Sequence, residues 1–127
     1  MIAPFKSSQT PEFEQTENHK TKTTMTIVTT GHLYYLDNFE NKMGVQPIQF
    51  IEKKPESEGS TKLITVKDGT TNEEVLAMMI DRLNYLQTKF PCRENAIVIT
   101  KLEESLMWLN KRTSDRKARN VEGTNAK

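Results

Sequence analysis

Two apolar stripes of helical period, separated by one proline, constrain this chain more than any other feature. Val75, Met79, Leu83, Leu86 and Phe90 recur at spacings of four, four, three and four, which places them on one face of a helix. Thr71-Asn-Glu-Glu74 ahead of them fits a capping box, Thr71 at the N-cap and Glu74 three residues on. Pro91 stops this helix, because proline lacks the N–H that continues the ladder and biases its predecessor away from helical angles. A second stripe, Ala96, Ile99, Leu102, Leu106 and Leu109, predicts a helix from about Arg93 to about Arg112. With only Pro91-Cys92-Arg93 between them, two long helices must fold back as an antiparallel hairpin.

Ahead of the hairpin the pattern changes. Met25–Thr30 is β-branched, His32–Leu36 is aromatic and apolar, and Ile48–Ile51 and Lys62–Val66 are short apolar runs. Asp37-Asn38, Asn41–Gly44, Glu56–Ser60 and Asp68-Gly69 supply turns between them. Three or four short antiparallel strands are predicted. So thin a sheet needs a helix or a second subunit over one face. The fold class is therefore α+β, a small antiparallel sheet followed by a long αα-hairpin. Residues 1–24 are almost all polar and Met25 could serve as an alternative start; this segment reads as disordered or loosely attached. Residues 25–113 read as one domain and 114–127 as a flexible basic tail. The folded part is then only about 90 residues, a size at which oligomerisation often supplies missing stability. A homo-oligomer is expected, most simply a two-fold dimer through the hairpin.

Composition narrows the chemistry. Hydrophobic residues are 35% of the 127, below the usual ~45–50%, so the core must be small. No apolar run reaches the ~18–20 residues of a membrane span, and the first twenty residues have no apolar stretch, so no secretory signal is expected. A single cysteine, Cys92, excludes an internal disulfide and suits a reducing compartment. One Cys and two His leave too few ligands for a structural zinc site in one chain. The net charge of +1 argues against a non-specific nucleic-acid binder.

Enzyme motifs are missing. The five glycines never fall in G-x-G-x-x-G or phosphate-loop spacing, and there is no G-x-S-x-G elbow. His19 and His32 lie outside the hairpin, so a dyad with Cys92 would need a long-range contact. Glu103 and Glu104 are adjacent on a helix and point about 100° apart, so they read as a solvated face rather than a paired site. What remains is a binding constellation at the two ends of the hairpin: Phe90, Arg93 and Asn95 near the connector, and Trp108, Asn110, Arg112 and Arg116 at the far end. Asn95 and Arg112 are separated by about 25 Å of helix at 1.5 Å per residue. One subunit cannot close them on one small molecule, whereas two antiparallel second helices in a dimer can, giving two equivalent pockets. Guanidinium groups grip phosphates bidentately, aromatic rings stack on a base, and Asn can read its edge. Each residue also has a plainer role. Phe90 ends a core stripe, Trp108 fits a subunit interface as well as a pocket wall, Arg112 and Arg116 suit a helix C-terminus, and Asn95 suits a first-turn cap.

The second helix carries a resemblance. Arg93 to Arg112, and above all Thr100-Lys-Leu-Glu-Glu-Ser-Leu-Met-Trp108 with Arg93 and Ala96, resembles the signature helix of phage proteins that sponge cyclic nucleotide signals. The hairpin domain shared by the Thoeris anti-defence and anti-CBASS cyclic-oligonucleotide sponges is matched over about residues 70–113. The strand-forming segment ahead of it is similar to the Thoeris anti-defence branch. Ser105, where relatives often have Ala, and the long polar N-terminal segment are departures that do not touch the pocket.

The resemblance implies an antiparallel sheet with two long helices, assembled as a dimer or a higher oligomer of dimers. It implies capture, without cleavage, of a cyclic ADP-ribose isomer made by a host TIR-domain enzyme, in the cytoplasm of the infected bacterium. Some members also take cyclic di- or trinucleotides at separate sites. Ligand contacts carry over to Asn95 and Arg112 first, then Phe90 and Arg93, then Trp108 and Arg116. No cofactor, metal or membrane is implied. A small nucleic-acid binder using the basic tail and Tyr34-Tyr35, and a hairpin adaptor for a host protein, are the competing readings.

Overall fold

The structure is a computed structural model that describes residues 12–14 and 22–119. Six strands precede two helices: β1 Glu12–Glu14, β2 Lys22–Thr29, β3 Leu33–Asp37, β4 Val45–Gln49, β5 Glu52–Pro55, β6 Leu63–Lys67, α1 Asn72–Lys89 and α2 Arg93–Ala118. Strands β1 to β4 form one antiparallel sheet in sequence order, and β5 and β6 form a separate two-stranded ribbon. The α+β class expected from the sequence is therefore the fold observed.

Register decides which side chains share a face. Met25 lies opposite Leu36, Ile27 opposite Tyr34, and Tyr34 opposite Ile48. Because strand side chains alternate, these apolar residues line one face together. The β2–β3 turn passes through Gly31 at φ 78°, a left-handed conformation that glycine adopts without a Cβ penalty. The ring of Phe50 meets Tyr34 edge-on, centroids 5.9 Å apart at 86°, an arrangement the ring quadrupoles favour.

The ribbon leaves the sheet and returns to it. Ile51 N–H donates to the Thr70 carbonyl at 2.9 Å, and Thr70 N–H donates to the Gln49 carbonyl at 2.8 Å. These two bonds fix where α1 begins relative to β4. Gly69 lies in this junction, where an added Cβ would come within 2.5 Å of the Gln49 carbonyl oxygen and 2.6 Å of the Phe50 carbonyl carbon. Only a residue without a side chain fits so close an approach.

The hairpin forms as its signals predict. The Thr71 hydroxyl accepts from Glu74 N–H at 3.2 Å, satisfying one orphan donor of the first turn. Helix α1 ends at Lys89, ahead of Pro91, and α2 starts at Arg93. The connector is clamped by Gln87, whose Nε2 donates to the Cys92 carbonyl at 2.9 Å while its Oε1 accepts from Cys92 N–H at 3.0 Å. Cys92 then caps α2, its Sγ accepting from Asn95 N–H at 3.4 Å. The two helices pack on each other. Val75, Met79, Leu83 and Leu86 of α1 are half-buried, as are Leu102, Leu106 and Leu109 of α2, and Ile99 is buried.

Several expectations need correction. Phe90 and Ala96 are exposed. Phe90 has already left the helix at its C-cap, and the buried face of α2 begins at half-buried Asn95 instead. Glu52–Pro55, a polar stretch outside the strands expected from the sequence, is a strand paired with β6, because pairing needs backbone groups more than apolar side chains. Within the stretch read as disordered or loosely attached, Glu12–Glu14 and Lys22–Thr24 are paired strands. The expectations for residues 1–11, 15–21 and 120–127 fall outside the described residues. Helix α2 runs on to Ala118 without apolar period. Arg, Lys and Ala are strong helix formers, and Arg116 and Lys117 suit the last turn.

Candidate functional site

The end of α2 carries the most concentrated charge in the hairpin. Trp108, Lys111, Arg112, Asp115, Arg116 and Arg119 line an open cavity of about 390 Å³. Spacings of three and four along one helix explain why they converge, since residues so separated are neighbours on a helix surface. Four side chains are cationic and one is acidic. Trp108 is 59% exposed and offers an aromatic wall beside the guanidinium groups.

The two arginines singled out from the sequence differ in setting. Arg112 is exposed, whereas Arg116 is buried at 7% exposure. Arg116 therefore belongs to the frame of the cavity as well as to its lining. Next to it, Thr113 Oγ1 donates to a Glu73 carboxylate oxygen at 3.4 Å. That contact ties the end of α2 to the first turn of α1 and anchors the cavity to a packed element.

The other half of the expected constellation lies elsewhere. Phe90, Arg93 and Asn95 sit at the connector, and α2 is continuous from Arg93 to Ala118. At 1.5 Å per residue, Asn95 and Arg112 are about 25 Å apart along the axis. Within one copy the structure brings together Trp108, Arg112 and Arg116 and keeps them from Phe90, Arg93 and Asn95. Phe90 is 76% exposed, so its ring is presented rather than packed. Asn95 is half-buried with its backbone N–H used by the Cys92 cap.

Sequence reasoning missed Lys111, Asp115 and Arg119 as cavity residues. The signal was available in their helical spacing to Arg112 and Arg116, but only if α2 continued past Arg112. A second cavity of about 420 Å³ lies where the sheet meets α1, lined by Met25, Tyr34, Leu36, Ile48, Phe50 and Val75 among others. It is apolar and has no cation to hold a phosphate.

Cys92 and His32 are far apart in the hairpin's frame. His32 lines a cleft with Thr70 and Thr71 at the start of α1, and Cys92 lies beyond the helix's far end, about 27 Å of helix away. Among the described residues no cluster of three His, Cys, Asp or Glu is arranged to hold a metal ion. No helix among them is long and apolar enough to cross a membrane.

Comparison with known proteins points to the hairpin, with Trp108, Lys111 and Arg112 inside the matched segment and Asp115, Arg116 and Arg119 beyond it. Residues 49–114, just over half of the chain, match the family described as Acb2/Tad1, hairpin domain. "Thoeris anti-defense 1" of Bacillus phage SBSphiJ7 is 47% identical over 91 residues, a match covering 54% of this chain and 64% of that relative. The chain thus spans less than two thirds of the relative it matches.

Proposed function

The chain belongs to the Acb2/Tad1 hairpin-domain family, and from that premise we propose that it is a phage anti-defence protein that captures a cyclic ADP-ribose isomer and holds it unaltered. Removing this signal would keep the Thoeris effector inactive in the cytoplasm of the infected host. The observation that carries the reading is the cationic, tryptophan-walled cavity at the anchored end of α2.

The ligand's chemistry fits such a site. A cyclic ADP-ribose offers an adenine face, ribose hydroxyls and a diphosphate with about two negative charges. Arg112 and Arg116 grip the diphosphate through charge-assisted hydrogen bonds, and Trp108 forms a wall. A second copy, with its α2 antiparallel to the first, brings Phe90 to stack on the base, Asn95 to read its edge and Arg93 to add charge. Such a homodimer has two equivalent pockets, and dimers can assemble further. Exposed Ile97 and Trp108, which share one face of α2 and are each above 40% exposed, support an uncovered face that a second copy would bury. Cyclic di- or trinucleotides are further candidate ligands, at separate sites.

Holding this ligand needs stacking, a few strong hydrogen bonds and exclusion of water. It needs no nucleophile, metal or general base. Signal blockade calls for a nanomolar Kd, roughly −12 kcal/mol. Packed helices hold the backbones of these residues in place before binding, which lowers the ordering cost and favours such tightness.

The test is recovery of the ligand. Protein is incubated with the cyclic ADP-ribose isomer, separated from free ligand and heat-denatured. Intact, stoichiometric ligand in the supernatant is the expected result. A cleaved product would make the protein an enzyme. No retained nucleotide would overturn the reading, with salt-steep binding to RNA or DNA marking a nucleic-acid binder and a specific protein pulldown marking an adaptor.

A further inference from the structure

Asp115 is poorly placed for the helix end itself. It lies within the last four residues of α2, where the partial negative charge of the helix end disfavours a carboxylate. Aspartate is also among the weaker helix formers. Its pair with Lys111 at 2.8 Å has the basic residue first, the poorer order for partners four apart. Both side chains are more than half exposed, so the pair contributes little to stability. Neither the helix end nor this pair calls for an acid here, and the cations around it favour one, so the position is suited to a binding role.

Its surroundings say which role. Among the described residues, Asp115 is the one acidic side chain lining a cavity that also carries Lys111, Arg112, Arg116 and Arg119. For a ligand recognised by phosphate alone, a carboxylate there only weakens attraction. For a ligand that carries hydroxyls beside its phosphates, it supplies what four cations cannot, namely hydrogen-bond acceptors. An ionised carboxylate has about four acceptor positions, so the bond from Lys111 Nζ to Oδ2 leaves capacity for more while holding the group in place. We propose that Asp115 accepts hydrogen bonds from ribose hydroxyls, and so turns a general anion site into one selective for a ribose-bearing diphosphate. This inference rests on the sequestration reading above and adds the group that tells a nucleotide from a bare polyphosphate.

The experiment compares two probes on the full chain: the cyclic ADP-ribose isomer generated from NAD by a TIR-domain enzyme, and inorganic pyrophosphate. Each is titrated into the native protein, Asp115→Asn and Asp115→Ala. Loss of a hydrogen bond to a charged acceptor predicts about a ten- to hundredfold weaker hold on the cyclic nucleotide. Pyrophosphate should bind both variants as tightly as the native protein, or more tightly, because a repelling charge is gone. If the two probes move together, in either direction, or neither moves, Asp115 reads no hydroxyl and the assignment is wrong. If the native protein takes up pyrophosphate but no cyclic nucleotide, the sequestration reading itself fails and this assignment falls with it.

Discussion

Arg112 and Arg116 stand one turn apart at the end of α2, yet one is open to solvent and the other is buried. Their substitutions should therefore separate. Arg112→Ala should weaken capture of the cyclic ADP-ribose isomer by about 2–4 kcal/mol and leave the thermal midpoint unchanged; calorimetry with a melting curve reads both. Arg116→Ala should lower binding and the midpoint together, since it removes a buried side chain. Thr71→Ala, at the cap of α1, should cost about 1 kcal/mol of stability through the lost cap, read as a lower thermal midpoint. Some of these roles could be read in the sequence and others could not. Thr71 and Glu74 form a recognisable capping pair. Cys92 does the same work for α2 through a thiol, a residue outside the usual set of caps, and Gln87 clamps the connector from a position that resembles any polar helix residue. Asp115 escaped notice because its meaning depends on cations gathered three and four residues away on a helix expected to have ended.

Among the elements, the hairpin was the most legible and the sheet the least. Apolar period, capping box and Pro91 all act within a few residues of one another, so local chemistry settles both helices. Strand β5 has no such signal, because Glu52–Pro55 is held by pairing with β6 across a ten-residue separation in register at Lys54 and Ile64. The extension of α2 was hidden for a related reason: charged helix formers carry it without an apolar stripe. Ile99 is the buried apolar residue of the described core, and Ile99→Ala should destabilise the hairpin by about 2–4 kcal/mol, visible as a lower denaturant midpoint. Gly69→Ala should act on the junction instead. The new methyl would meet the Gln49 and Phe50 backbones, and overpacking of this kind costs about 1–3 kcal/mol. Its signature would be loss of hydrogen-exchange protection at Ile51 and Thr70, whose N–H groups make the bonds that join sheet to hairpin.

For the molecule as a whole, a single copy is incomplete in two respects. It buries very little: large side chains such as Met78, Tyr85, Phe90, Met107 and Trp108 are more than half exposed. It also splits the expected ligand contacts between the two ends of α2. The second copy proposed above, packed antiparallel along α2, would answer both, with each pocket taking Asn95 from one copy and Arg112 from the other. That arrangement makes a sharp prediction for mixtures. Asn95→Ala and Arg112→Ala, purified separately, should each bind the cyclic ADP-ribose isomer weakly. Co-expressed, half of the dimers are mixed, and each mixed dimer has one pocket with both native residues, so about a quarter of all sites recover. Calorimetry on the co-expressed material should show native affinity at about one quarter of the native stoichiometry. Binding as weak as that of the separate variants would mean that no pocket is shared between copies, and the account of how this protein holds its ligand would be wrong.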